Sequence, residues 1–102
     1  MKSDPVDILL ELLSTRSVAG NTDLVTELLE KRLAEMGTAA DRTNKGSLVA
    51  TVPGTGKDAI LVAAHVDTLG AMVSSLCDDG TLGFRMVGGY TMNSVEGEYC
   101  TV

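Results

Sequence analysis

The chain has no tryptophan, one phenylalanine and two tyrosines, so aromatic residues make up only 3% of it. Stacking platforms for single-stranded nucleic acid need several such rings, and that class of function is disfavoured. Positive charge is also scarce: 8 Lys and Arg stand against 14 Asp and Glu, for a net charge of −6. Such a balance repels phosphate backbones, which makes nucleic acid a poor partner. The two cysteines, Cys77 and Cys100, are too few for a disulfide framework and form no Cys-x-x-Cys pair. They are expected to be free, mostly buried thiols in a reducing compartment. No uninterrupted apolar stretch reaches the roughly 20 residues of a membrane span. Asp7 and Glu11 interrupt the apolar residues near the start, which does not suit a secretory h-region. A cytoplasmic protein with no membrane partner is the expectation. Histidine is scarcest of the chemically versatile residues, with His65 alone.

What is present suits a packed α/β unit. The 102 residues amount to one modest domain or a piece of a larger one, and the 44% hydrophobic content argues against disorder. The core must come from Leu, Val, Ala, Ile and Met. Asp4 before Pro5 is a good N-cap followed by a good first helical residue, and Val6, Leu9, Leu10 and Leu13 recur at helical spacing. A helix is predicted over 5–15. After a small-residue loop at 17–21, Thr22 can cap a second helix with Leu24, Val25, Leu28, Leu29, Leu33 and Met36 on one side, stopped by Gly37.

Beyond Gly37 the period becomes extended. Leu48, Ala50 and Val52 alternate with Val49 and Thr51 as a strand, closed by the turn cluster Pro53-Gly54-Thr55-Gly56. The continuous apolar run at 59–64 has the pattern of a strand covered on both faces. With two amphipathic helices to cover it, an α/β layer architecture is expected. Residues 71–77 and 82–87 read as strands joined by Asp78-Asp79-Gly80-Thr81, whose Asp-Gly step is a strong hairpin signal. Gly88-Gly89 breaks the chain, 99–102 starts a further strand, and no helix is predicted after Gly37. The change of character places a boundary near Gly70.

The chemistry concentrates in His65-Val66-Asp67, at the C-terminal end of the apolar run. Alternation along an extended chain puts His65 and Asp67 on one side and Val66 toward the core. An aspartate two residues on can fix a histidine's tautomer and ring angle, directly or through its network, as metal-ligating histidines require. One histidine and one aspartate do not complete a catalytic metal site. A hydrogen-bonded structural histidine is the plainer reading of the pair taken alone. Asp78, Asp79 and Glu96 add carboxylates, but the first two are more simply turn residues. Pro53-Gly54-Thr55-Gly56-Lys57 lacks the first glycine and the hydroxyl residue of a phosphate loop. Met36, Met72, Met86 and Met92 are expected to fill a core or an interface.

Several segments together resemble one family. They are His65-Val66-Asp67-Thr68-Leu69-Gly70-Ala71-Met72-Val73, the Asp79-Gly80 hairpin, Gly88-Gly89-Tyr90, and Asn93-Ser94-Val95-Glu96-Gly97-Glu98. Ser17-Val18-Ala19-Gly20 and Gly46-Ser47-Leu48 precede them in the matching order. The pattern is similar to the N-terminal part of the glutamyl and deblocking aminopeptidases, dinuclear metallopeptidases that include the tetrahedral aminopeptidases, some members of which are labelled endoglucanases. The resemblance implies that His65 is a metal ligand and Asp67 the catalytic-site acid that orients it. It implies two divalent ions, zinc or cobalt, peptide substrates, and a homo-oligomer from dimer to dodecamer.

It also implies that 1–70 starts an α/β catalytic domain and that 71–102 starts an inserted β-rich domain, PDZ-like or barrel-like, serving dimerisation. The remaining ligands and the glutamate base of that family are expected downstream of Val102. A truncated N-terminal part, inactive alone and prone to associate, is therefore the expectation. A non-catalytic remnant or interaction module remains the alternative.

Overall fold

The computed structural model describes residues 4–102, and Met1, Lys2 and Ser3 lie outside the described residues. The order of elements is α1 (Pro5–Ser14), α2 (Asp23–Glu35), β1 (Ala40–Arg42), β2 (Leu48–Ala50), β3 (Gly70–Leu76) and β4 (Leu82–Val87), then a 3-10 turn at Met92–Ser94. Two helices and two small antiparallel sheets fit the α/β class in its coarse sense. Among the described residues no helix is long and apolar enough to cross a membrane.

Helix α1 starts where the sequence says it should. The Asp4 carboxylate accepts the Val6 N–H at 2.9 Å, satisfying one of the free amides of the first turn, and Pro5 has none to satisfy. Helix α2 begins differently from expectation. Thr22 occupies the cap position but makes no side-chain cap bond, and the Thr26 hydroxyl instead donates back to the Thr22 carbonyl at 2.8 Å. Its far end closes as a Schellman turn: Gly37 at φ +76 lets the Thr38 N–H reach Leu33 O at 2.9 Å, while the Gly37 N–H reaches Ala34 O at 2.9 Å.

Two arginines hold the helical part together. Arg32 on α2 donates through Nε and Nη2 to one oxygen of Glu11 on α1, at 2.8 and 2.6 Å. Arg42 on β1 makes a two-pronged contact with Glu30 on α2, at 2.9 and 2.8 Å. Both guanidinium groups are about one third exposed, so these pairs orient the elements more than they stabilise them. Strand β1, which the sequence pattern did not reveal, pairs with β2 from Ala40↔Ala50 to Arg42↔Leu48.

The hairpin of β3 and β4 runs from Gly70↔Val87 to Leu76↔Leu82, with a register shift between Val73 and Ser75. Its turn is the expected Asp-Gly one. Gly80 adopts φ +83, a region that suits glycine, and Asp79 accepts both the Thr81 hydroxyl at 2.7 Å and the Thr81 N–H at 3.0 Å. These bonds, the hydroxyl first, hold the Asp79 carboxyl below the ordinary carboxylate range. A lowered value in the folded state means the contribution is present above the unfolded value and is lost as pH falls through the folded one. Protection of the Thr81 amide from hydrogen exchange, corrected for intrinsic rate, should therefore fall on acidification below about pH 4, and should be lost at neutral pH in Asp79→Ala. Equal protection in both proteins would contradict this.

Four expectations need correction. The run 59–64 is not a buried strand: Ile60, Leu61 and Val62 are 90%, 89% and 87% exposed, and no described strand pairs with them. The described strands form two separate pairs, β1 with β2 and β3 with β4, and none of them lies alongside the run, so the covering neighbours that such a run needs are not supplied by these residues. A packed core fails for the same cause, since among the described residues the buried hydrophobic set reduces to Val25. Cys77 and Cys100 are exposed rather than buried. Met36, Met72, Met86 and Met92 are all exposed, which corrects the core half of their expected role and leaves the interface half.

Two smaller differences lie near the C-terminus. A 3-10 turn forms at Met92–Ser94, where the Ser94 hydroxyl donates to Thr91 O at 2.7 Å, and 99–102 is not a strand. The radius of gyration is 17.9 Å, against roughly 13 Å for a compact domain of this length.

Candidate functional site

The segment following the exposed apolar run carries the site. His65 and Asp67 lie on one side of the chain, with His65 Nδ1 at 3.1 Å from Asp67 Oδ1. The two residues are thus in direct contact, one of the two arrangements that their spacing allows. The histidine side chain is 84% exposed and the aspartate 49%. A carboxylate can only accept, so the contact calls for a proton on Nδ1, and in the neutral ring that leaves Nε2 with its lone pair. Val66, expected to point inward, is half-buried.

The next residues are anchored from a distant part of the chain. The Thr68 N–H donates to the Ser17 carbonyl at 2.9 Å, and Val18 and Thr68 form a parallel bridge. Ser17 is 1% exposed, and its hydroxyl lies 3.5 Å from that of Thr68. The Tyr90 hydroxyl donates to the Gly70 carbonyl at 2.9 Å. Ala19, His65, Asp67, Thr68, Leu69 and Gly88 line an open hollow of about 490 Å³.

The sequence pattern marks 17–21 as a plain loop and gives Ser17, Thr68 and Tyr90 no individual role. The signal that could have found them is that 17–20 and 88–90 both stand among the segments carrying the family resemblance. Asp78, Asp79 and Glu96 do not join the pair. Among the described residues there is no group of three or more His, Cys, Asp or Glu that could hold a metal ion. The residues present therefore fit one ligand of a metal centre, an imidazole with Nε2 free and Nδ1 engaged, and do not fit a whole ligand set.

An imidazole braced by a carboxylate at one nitrogen and open at the other has the form metal-ligating histidines take. Comparison with known proteins gives that form a family. The family model described as M42 glutamyl aminopeptidase matches residues 46–102. The chain is 43% identical over 99 residues to "Putative aminopeptidase YhfE" of Bacillus subtilis (strain 168), covering 95% of this chain and 28% of that protein. It is 33% identical over 101 residues to the glutamyl aminopeptidase of Lactococcus lactis subsp. cremoris (strain MG1363), covering 97% of this chain and 28% of that protein. A third relative, "Putative aminopeptidase" of Acetivibrio thermocellus, is 34% identical over 88 residues, covering 86% and 26%. The chain belongs to the M42 glutamyl aminopeptidase family and spans between a quarter and a third of the length of these relatives.

Proposed function

We propose that this chain supplies a metal ligand, His65, and its orienting acid, Asp67, to a dinuclear metalloaminopeptidase that removes N-terminal residues from peptides. The observation that carries this reading is the 3.1 Å contact between His65 Nδ1 and Asp67 Oδ1 on a ring otherwise open to solvent. Family membership supports the reaction class. When bound, two divalent ions, zinc or cobalt, supply Lewis acidity toward the peptide carbonyl and acidify water. Asp67 keeps the proton on Nδ1 and fixes the plane of the ring, and His65 offers Nε2. Residues 1–70 belong on this reading to the catalytic domain, and 71–102 to a β-rich insertion that serves homo-oligomer assembly in the cytoplasm. By itself the 102-residue chain turns over no peptide, because one imidazole and one carboxylate leave the ligand set unfilled.

A chimera tests this. Residues 1–102 replace the matching stretch of the Lactococcus lactis glutamyl aminopeptidase, and hydrolysis of glutamyl p-nitroanilide is followed with added zinc or cobalt. Asp67→Asn should lower kcat/KM by about 10–100-fold, the usual cost of losing the partner that orients a ligating histidine. His65→Ala should reduce turnover to background. A chimera that retains its activity after His65→Ala would refute the proposal.

A further inference from the structure

We propose that the close contact of Val18 with Gly70, closed by the Thr68 N–H to Ser17 carbonyl bond, is the brace that positions the His65–Asp67 pair. The inference rests on the reading of His65 as a metal ligand and Asp67 as its orienting acid, and it concerns what holds those two in place. Val18 and Gly70 are positioning residues in this account.

The pair cannot hold itself. Its side chains are 84% and 49% exposed, so the bond between them competes with water and contributes little net stability. Nor is it held from the N-terminal side, where Ile60, Leu61 and Val62 are exposed and pair with no described strand. The first fixed point is one residue past Asp67. There the Thr68 N–H is bound at 2.9 Å to a carbonyl of Ser17, itself 1% exposed.

Two residues further on, Gly70 lies so close to Val18 that a Cβ added to the glycine would fall 2.6 Å from both Val18 methyl carbons. Such an approach is open only to glycine. The Tyr90 hydroxyl also donates to the Gly70 carbonyl at 2.9 Å. Asp67 thus stands immediately before three attachments, one at Thr68 and two at Gly70, and the direction of its carboxylate, hence the ring angle of His65, is inherited from them. Holding a ligand by packing around its neighbours is what a metal site needs when the ligand itself must stay open.

The contact can be wedged apart and relieved. Gly70→Ala pushes the two segments apart, and Val18→Ala added to it removes the methyls that collide. The 102-residue chain, labelled with 15N and carrying Ile60→Lys with Val62→Lys in every variant to keep it monomeric, is observed at about pH 8, above the ordinary imidazole value of roughly 6.5. Ring 15N shifts report which nitrogen carries the proton, zinc chloride titration reports Nε2, and exchange of the Thr68 amide reports the brace.

The wild type should favour the Nδ1–H form. Gly70→Ala should speed Thr68 exchange, mix the two ring forms and weaken the zinc response about 10-fold, the low end of what losing an orienting partner costs. The double variant should return all three to within about twofold of wild type, and that recovery is what a general loss of structure would not give. Ring and zinc signals that stay unchanged while Thr68 exchange accelerates would overturn the proposal. So would unchanged Thr68 exchange in Gly70→Ala, or a double variant that fails to recover. Asp67→Asn separates this from the reading beneath it. Loss of the Nδ1–H preference there but not in Gly70→Ala sinks the brace alone, whereas no change in either sinks the role of Asp67 as well.

Discussion

Zinc or cobalt added to the 102-residue chain should move the His65 ring resonances only at roughly millimolar concentration, about 4 kcal/mol of binding, and aminoacyl anilides should show no hydrolysis above background. A complete structural zinc site is worth roughly 10–16 kcal/mol, because four converging ligands share the desolvation of one ion. Here one imidazole nitrogen is available, and no cluster of three ligating residues stands among the described residues. Followed by the backbone amide signals of residues 64–69, His65→Ala should abolish even the weak response, while Asp79→Ala, at the distant hairpin turn, should leave it intact. Tight stoichiometric capture would mean that a ligand set assembles from residues this fold keeps apart. Turnover that disappears with His65→Ala would mean that so small a part of the relatives' length suffices for the chemistry.

A second large effect concerns the run 59–64. Ile60, Leu61 and Val62 are each worth about 1.5–3 kcal/mol when fully buried, and here all three face water. Together that is comparable with the whole stability of a small domain, about 5–15 kcal/mol. An extended, unpaired, apolar segment is a template for pairing with another chain. The chain at tens of micromolar should therefore sediment as concentration-dependent oligomers and enhance the fluorescence of ANS. Ile60→Lys with Val62→Lys charges one side of the segment, since alternate residues of an extended chain share a face. This variant should sediment as a monomer and lose most of the dye signal. In the chimera, where the segment is expected to be covered, the same two changes should abolish folding. A wild-type chain that stays monomeric and does not bind dye would remove the basis of this prediction.

Local structure was legible where its cause was local. Asp4 and Pro5 announce α1, Gly37 ends α2, and Asp79-Gly80 turns the hairpin, because each acts through bonds to residues a few positions away. The adjacency of His65 and Asp67 was legible for the same reason, since an extended backbone puts i and i+2 on one side. What the sequence hid was non-local. The bond from Thr68 to Ser17 joins residues 51 positions apart, and no periodicity in either segment encodes the other.

The misreading of 59–64 has a related origin. An apolar run specifies the surroundings its side chains suit, and pairing partners must then exist to provide them. Thr22 failed as a cap for a local reason, since its backbone at φ −108 and ψ 8 lies outside the extended region that turns a cap side chain over the first amides.

Gly70 pairs with Val87 and takes the Tyr90 hydroxyl on its carbonyl, so the polypeptide leaves and re-enters at a single place. Whatever lies between is an excursion with coincident endpoints. Its length, sequence and tip can be exchanged without altering the distance from that doorway to the imidazole five residues before it. Evolution or a protein engineer can thus graft cargo at the hairpin tip, between Cys77 and Thr81, while Nε2 of His65 registers nothing.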